Sequence, residues 1–189
     1  MSELLLDIRD LVIEADIDGD WRPIVNGLSM GLHKGEIVGL IGESGAGKST
    51  FGLAGMGYTK PGCRIVSGSI KLEGEELVGA SPSRLREIRG NSVSYVAQSA
   101  AAAFNPAHRL ITQFVEAPVQ HGKMRSEEAA RRGQDLYRQL DLPDPEHIGN
   151  RFPHQVSGGQ LQRAMTAMAM GCDPRLIVFD EPTTALDVT

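Results

Sequence analysis

Apolar and polar positions alternate along the first third of this chain. Leu4-Leu5-Leu6-Asp7-Ile8 and residues 12–17 read as strands, broken before Trp21 by Asp18-Gly19-Asp20, a cluster that favours a tight turn. Leu28, Met30 and Leu32 then alternate, Lys34-Gly35 makes a turn, and residues 36–41 are a short apolar run bounded by glycines, the pattern of a strand buried on both faces. That run feeds directly into Gly42. From Lys48 the spacing becomes helical, and residues 67–72 and 91–96 read as further strands around a helix over 82–89.

The middle has a different character. Between residues 99 and 156 strand signals fade and helical ones dominate, with Ser126-Glu127-Glu128 opening a helix that runs to about Leu140. This segment is predicted to be an inserted helical subdomain. After Ser157 a helix should run through an Ala- and Met-rich stretch to Met170, and residues 175–179 return to a strand pattern before Asp180. No internal repeat or long low-complexity tract interrupts the order.

Composition narrows the classes. With 189 residues, 41% hydrophobic and 23% charged, the chain suits one globular domain with a true core and room for a smaller lobe. A net charge of −5 argues against a mainly electrostatic nucleic-acid binder, which needs clustered Lys and Arg. No stretch approaches the roughly 20 apolar residues that cross a bilayer, and residues 1–10 carry acids where a signal peptide has a basic start, so a cytosolic chain is expected. Cys63 and Cys172 stand alone, without disulfide or zinc spacing, and are expected to be buried or half-buried thiols.

Candidate chemistry concentrates in three places. Gly42-Glu43-Ser44-Gly45-Ala46-Gly47-Lys48-Ser49-Thr50 fits the phosphate-loop pattern Gly-x-x-x-x-Gly-Lys-Ser between an apolar run and a helix. Glycines let successive amides approach a polyphosphate, and the helix start adds partial positive charge. Lys48 is assigned to β- and γ-phosphate charge, the Ser49 hydroxyl to Mg²⁺, and Thr50 to the α-phosphate. ATP and Mg²⁺ are the expected ligands. Second, Leu176-Ile177-Val178-Phe179 ends in Asp180-Glu181. Such a pair can be a solvated strand end, but beside a phosphate loop Asp180 can hold Mg²⁺ through water and Glu181 can act on the attacking water.

Third, Val156-Ser157-Gly158-Gly159-Gln160 precedes a helix and matches the Leu-Ser-Gly-Gly-Gln signature of ATP-binding cassette (ABC) ATPases, with Val for Leu. Taken alone it is a Ser N-cap with a Gly-rich lead-in. In this order the chain resembles the ABC family over nearly its whole length. The resemblance implies an α/β fold: a P-loop NTPase (RecA-like) core with an N-terminal antiparallel β subdomain and an inserted helical subdomain, incomplete at the C-terminus. Its segments are residues 1–98, 99–156 and 157–189. It implies that Ser157, Gly158, Gly159 and Gln160 contact the γ-phosphate held by an opposite subunit, so ATP is sandwiched between two domains, identical or different.

By the same resemblance, Gln98 senses Mg²⁺ and attacking water. Pro182-Thr183-Thr184-Ala185-Leu186-Asp187 crosses the dimer interface, with Thr184 in place of the commoner Ser. Trp21 stands where the family places an aromatic residue on adenine, and core packing is the equal alternative. Longer words, Gly-Glu-Ser-Gly, Asn105-Pro106, Phe152-Pro153-His154-Gln155 and Pro182 to Thr189, look like the peptide and nickel importer ATPases. That implies two integral-membrane permease subunits, an extracytoplasmic solute-binding protein acting indirectly, no nucleic-acid partner, and a place on the inner face of the plasma membrane. One departure is Ser-Ala-Ala-Ala-Ala-Phe at 99–104, where that subfamily is more polar. Family members continue past the Asp187 loop to a histidine on the γ-phosphate, so the chain is expected to be a truncated or N-terminal piece with poor turnover by itself. The competing readings are a soluble, non-transport ABC ATPase and a nucleotide-binding module with little turnover.

Overall fold

The computed structural model describes residues 4–43 and 45–181. Ser44 of the phosphate loop and residues 182–189, the expected interface segment, lie outside the described residues. The chain divides into two compact units, Met1–Arg86 and Glu87–Thr189.

The first unit is built on an antiparallel hairpin. β1 (Leu4–Ile17) and β2 (Asp20–His33) meet through a two-residue turn in which Asp18 and Gly19 both have positive φ, 56° and 90°. That conformation suits the right-handed twist of the flanking strands, and Asp followed by Gly is among the sequences that accept it. β3 (Cys63–Leu72) pairs with the other side of β1, and the short β4 (Glu75–Glu76) completes the order β2-β1-β3-β4. Leu6, Ile8, Leu11, Ile13, Ile70 and Leu72 are buried, the alternation expected of a sheet with one face on a core. α1 (Lys48–Ala54) follows the phosphate loop, and its cap Gly55 lies against Leu6 and Ile8 of β1.

Two expectations are corrected here. The opening strands are one: Asp10, with φ 46°, forms a bulge at which the register shifts against both neighbours, and β1 continues through it. The expected buried strand at 36–41 is not a strand. Ile37 and Ile41 are 97% and 99% exposed, and the segment joins no ladder among the described residues. An apolar run acquires strand structure only where a neighbouring strand takes its N–H and C=O groups, and among the described residues none lies alongside this one.

In the second unit β5 (Val93–Val96) and β6 (Leu176–Phe179) form a parallel pair with Val93 opposite Leu176 and Val96 opposite Phe179. The short α2 (Pro82–Ile88) precedes β5, and α3 (Ala100–Ala103), α4 (Leu110–Gln120), α5 (Ser126–Gln139) and α6 (Gly158–Met170) surround one core that includes Val96, Phe104, Phe114, Leu136, Tyr137 and Leu161. The helical segment after residue 99 therefore shares its core with the strand pair. Arg163 of α6 ties helices together by donating to the carbonyls of Leu140 and Asp141, just past the end of α5 where partial negative charge collects. Cys63 is half-buried and Cys172 buried, both as free thiols. Among the described residues no helix is long and apolar enough to cross a membrane.

Candidate functional site

The phosphate loop belongs to the first unit. Gly47 has φ 80°, and a Cβ there would stand 2.6 Å from the carbonyl oxygen of Ile24 in β2, so only glycine fits both the torsion and the approach. The turn hands over to α1 through Phe51 N–H donating to the Gly47 carbonyl at 2.8 Å. Lys48, the first residue of α1, curls back so that its ammonium donates to the carbonyls of Gly42 (2.8 Å) and Glu43 (2.6 Å). Its charge thus sits at the centre of the loop's curve, with Gly42, Glu43, Gly45 and Ala46 exposed around it. Ser49 is half-buried and Thr50 is buried beneath. Trp21 is 41% exposed, so core packing, the alternative weighed for it, does not hold.

Gln98, Asp180 and Glu181 belong to the second unit, and parallel register brings them together. Because Val96 faces Phe179, and Asp180 N–H donates to the Val96 carbonyl at 3.0 Å, both strands end level. Two residues on, the Gln98 amide donates to a Glu181 carboxylate oxygen at 2.5 Å. The Tyr95 hydroxyl donates to the other acid, Asp180, at 2.7 Å. Burial first, then this bond and the charge of Asp180, push the Tyr95 phenol above its ordinary value, so it remains a donor. Glu181 holds φ 45°, a left-handed torsion that a non-glycine residue adopts only against local cost.

The signature opens α6. Ser157 is its N-cap: the hydroxyl accepts from Gln160 N–H at 3.3 Å, and the Gln160 side chain accepts from Ser157 N–H at 3.0 Å, a reciprocal capping box. Gly158 and Gly159 are then the first two helical residues, whose amides have no partner within a helix. Gly158 has neither a positive φ nor any atom within 4 Å of where its Cβ would be. Nothing among the described residues requires glycine there. A surface approaching from outside would. Behind the signature, buried Gln162 donates to the Ala97 carbonyl at 3.4 Å, linking α6 to the segment that carries Gln98.

A family model described as ABC transporter matches residues 25–184. The chain belongs to the ABC transporter family. Across its whole length it is 38% identical to the oligopeptide transport ATP-binding protein OppD of Lactococcus lactis and 38% identical to the probable D,D-dipeptide transport ATP-binding protein DdpD of Escherichia coli, covering 56% and 58% of those proteins. It therefore spans about half the length of the curated relatives it matches. An ATP-binding cassette solved as a dimer in a post-hydrolysis state with ADP and Pi superposes with a TM-score of 0.84 at 23% identity, over 97% of this chain and 76% of that one. That likeness shows the fold: an ABC ATPase cassette, mixed α/β with an antiparallel sheet and helices.

Two sets of polar contacts in this ABC transporter chain escape a reading of the sequence. Tyr95 lies 85 positions from Asp180, and no local pattern links them. Arg64 lies over the Trp21 ring at 3.9 Å while Glu14 accepts from its guanidinium, a contact that depends on strand order alone.

Proposed function

We propose that this chain binds MgATP and hydrolyses it as the energy-coupling subunit of an importer for oligopeptides or dipeptides. The observation that carries the reading is the level ending of β5 and β6, which sets Gln98 against Glu181 and leaves Asp180 beside them. Relatives named for peptide transport support the substrate class.

In this reading the amides of Gly42 to Gly47 and the Lys48 ammonium hold the β- and γ-phosphates, and Thr50 holds the α-phosphate. Trp21 offers its exposed ring to adenine. The candidate donors for the cation, the Ser49 hydroxyl, an Asp180 carboxylate oxygen and the Gln98 amide oxygen, are all hard oxygens. Few hard protein oxygens suit Mg²⁺, a cation that keeps waters and phosphates as most of its shell. Bound Mg²⁺ supplies neutralisation of the phosphate oxygens. Glu181 takes the proton of the attacking water, and the Gln98 amide, by donating to one carboxylate oxygen, fixes the direction in which it does so.

The open surface at Gly158 is the contact for a second nucleotide-bound ATPase subunit, identical or different. Closure of that pair drives two permease subunits, with a solute-binding protein acting on the far side, and the chain works on the inner face of the membrane. Replacing Glu181 by Gln keeps the hydrogen bond from Gln98 possible but removes the base. With saturating MgATP the variant is expected to run as a dimer by light scattering and to lose at least about 100-fold in turnover. A monomer under those conditions would overturn the sandwich.

A further inference from the structure

Strand order in the first unit assembles a second arrangement around Trp21. Glu14 of β1 pairs with Arg64 of β3, and Asp16, two residues further along β1, pairs with Trp21 of β2. Residues two apart on a strand share a face, so Glu14, Arg64 and Trp21 all project from the same side of the sheet. Glu14 accepts from two nitrogens of Arg64, at 3.1 and 2.8 Å, and the guanidinium carbon lies 3.9 Å from the indole centroid. This is stacking distance for a cation on an aromatic face. Arg64 comes from the interior side, across β1, whereas β2 is the outer strand of the sheet. With Arg64 over one face of the indole and the residue still 41% exposed, Trp21 keeps open surface for a planar ligand. The phosphate loop meets this same strand at Ile24, three residues from Trp21, or about 10 Å along an extended chain. That separation suits a nucleotide whose phosphates lie at the loop and whose base reaches the ring.

We propose that Arg64, clamped by Glu14, is a positioning residue for the base: it holds Trp21 from behind, so that adenine completes a guanidinium–indole–purine stack. The inference rests on the reading that Trp21 receives the base. An exposed indole gives up rotamer freedom when a ligand stacks on it, and a cation already seated on one face has restricted the ring beforehand. In such a stack the arginine acts through the ring face, so selectivity falls on the base rather than on the phosphates.

Trp21 is the sole tryptophan of the 189 residues, so its emission reports the stack directly. Titrating the chain with MgATP and with magnesium tripolyphosphate, followed by Trp21 emission and by calorimetry, separates base from phosphate. Arg64→Gln is expected to weaken MgATP about threefold to fivefold and to leave tripolyphosphate unchanged. Arg64→Lys should fall between, and Glu14→Gln should act in the same sense but less. Trp21→Ala should weaken MgATP more, and adding Arg64→Gln to it should cost nothing further. Equal loss for both ligands in Arg64→Gln would show that the arginine acts by long-range charge, and would overturn the inference. So would an unchanged MgATP affinity in Arg64→Gln with a loss in Trp21→Ala, which leaves the Trp21 reading standing. Unchanged MgATP affinity in Trp21→Ala, or tripolyphosphate binding with no binding gain from adenosine, removes that reading and this one together. Failure to bind either ligand counts against the proposed function itself.

Discussion

Residues 36–41 and Leu176–Phe179 look alike on paper: each is a short apolar run that ends where chemistry begins, the first at the phosphate loop and the second at Asp180-Glu181. In the folded chain they part company. Leu176–Phe179 is a strand because β5 lies alongside it in parallel, whereas residues 36–41 have no ladder among the described residues and leave Ile37 and Ile41 almost wholly exposed. Hydrophobicity makes a segment suitable for burial. A partner in register is what makes it a strand.

The sharpest way to break the comparison is to put a charge in each place. Val93→Asp introduces a carboxylate at a fully buried position of the β5–β6 pair and is expected to cost about 3 kcal/mol or more, while Ile37→Asp should stay within about 0.5 kcal/mol. Urea unfolding followed by circular dichroism measures both. Similar losses would mean that the first run is packed after all.

Next in size is the junction after the first run. Gly47→Ala combines a left-handed torsion with a 2.6 Å approach to the Ile24 carbonyl, so nucleotide affinity by calorimetry should drop about tenfold, or about 1.4 kcal/mol. Unaltered affinity would show that the loop need not adopt this shape. The junction after the second run gives the smallest effect. Tyr95→Phe removes the hydrogen bond to Asp180 and should lower stability by about 1 kcal/mol near neutrality.

The same substitution has a signature in pH. A phenol raised above its unfolded value of 10.0 stabilises the fold fully below that value, and the contribution is lost as pH climbs beyond it. Stability of the parent chain should therefore decline above pH 10.0, and Tyr95→Phe should flatten the decline. Tyr137, raised by burial alone, contributes a slope of the same sign, so part of the decline persists in the variant. Identical slopes would remove Tyr95 from the account.

Much of this arrangement could be read before any fold was known, where a feature is local. The helix that begins at the Ser157 cap and ends at Met170 follows from a Ser N-cap and helical spacing, and the Asp18-Gly19 turn follows from a cluster of turn-forming residues. The phosphate loop is local in the same sense. What stayed hidden is non-local. The bulge that keeps β1 whole at Asp10 depends on two neighbouring strands, and the contacts of Tyr95 with Asp180 and of Arg64 with Trp21 depend on which strands lie side by side. The misjudged run at 36–41 belongs with these, since composition carries no information about who the neighbour is.

Glu181 adds a tension between folding and work. Its left-handed torsion is one that glycine or asparagine adopts with less cost than glutamate, a difference of about 1 kcal/mol for a single residue. Selection for a sturdy chain alone would thus tend to discard the acid at this position. Under the role proposed for Glu181, keeping an acid there trades durability for reactivity, and Glu181→Gly or Glu181→Asn should yield the hardier polypeptide.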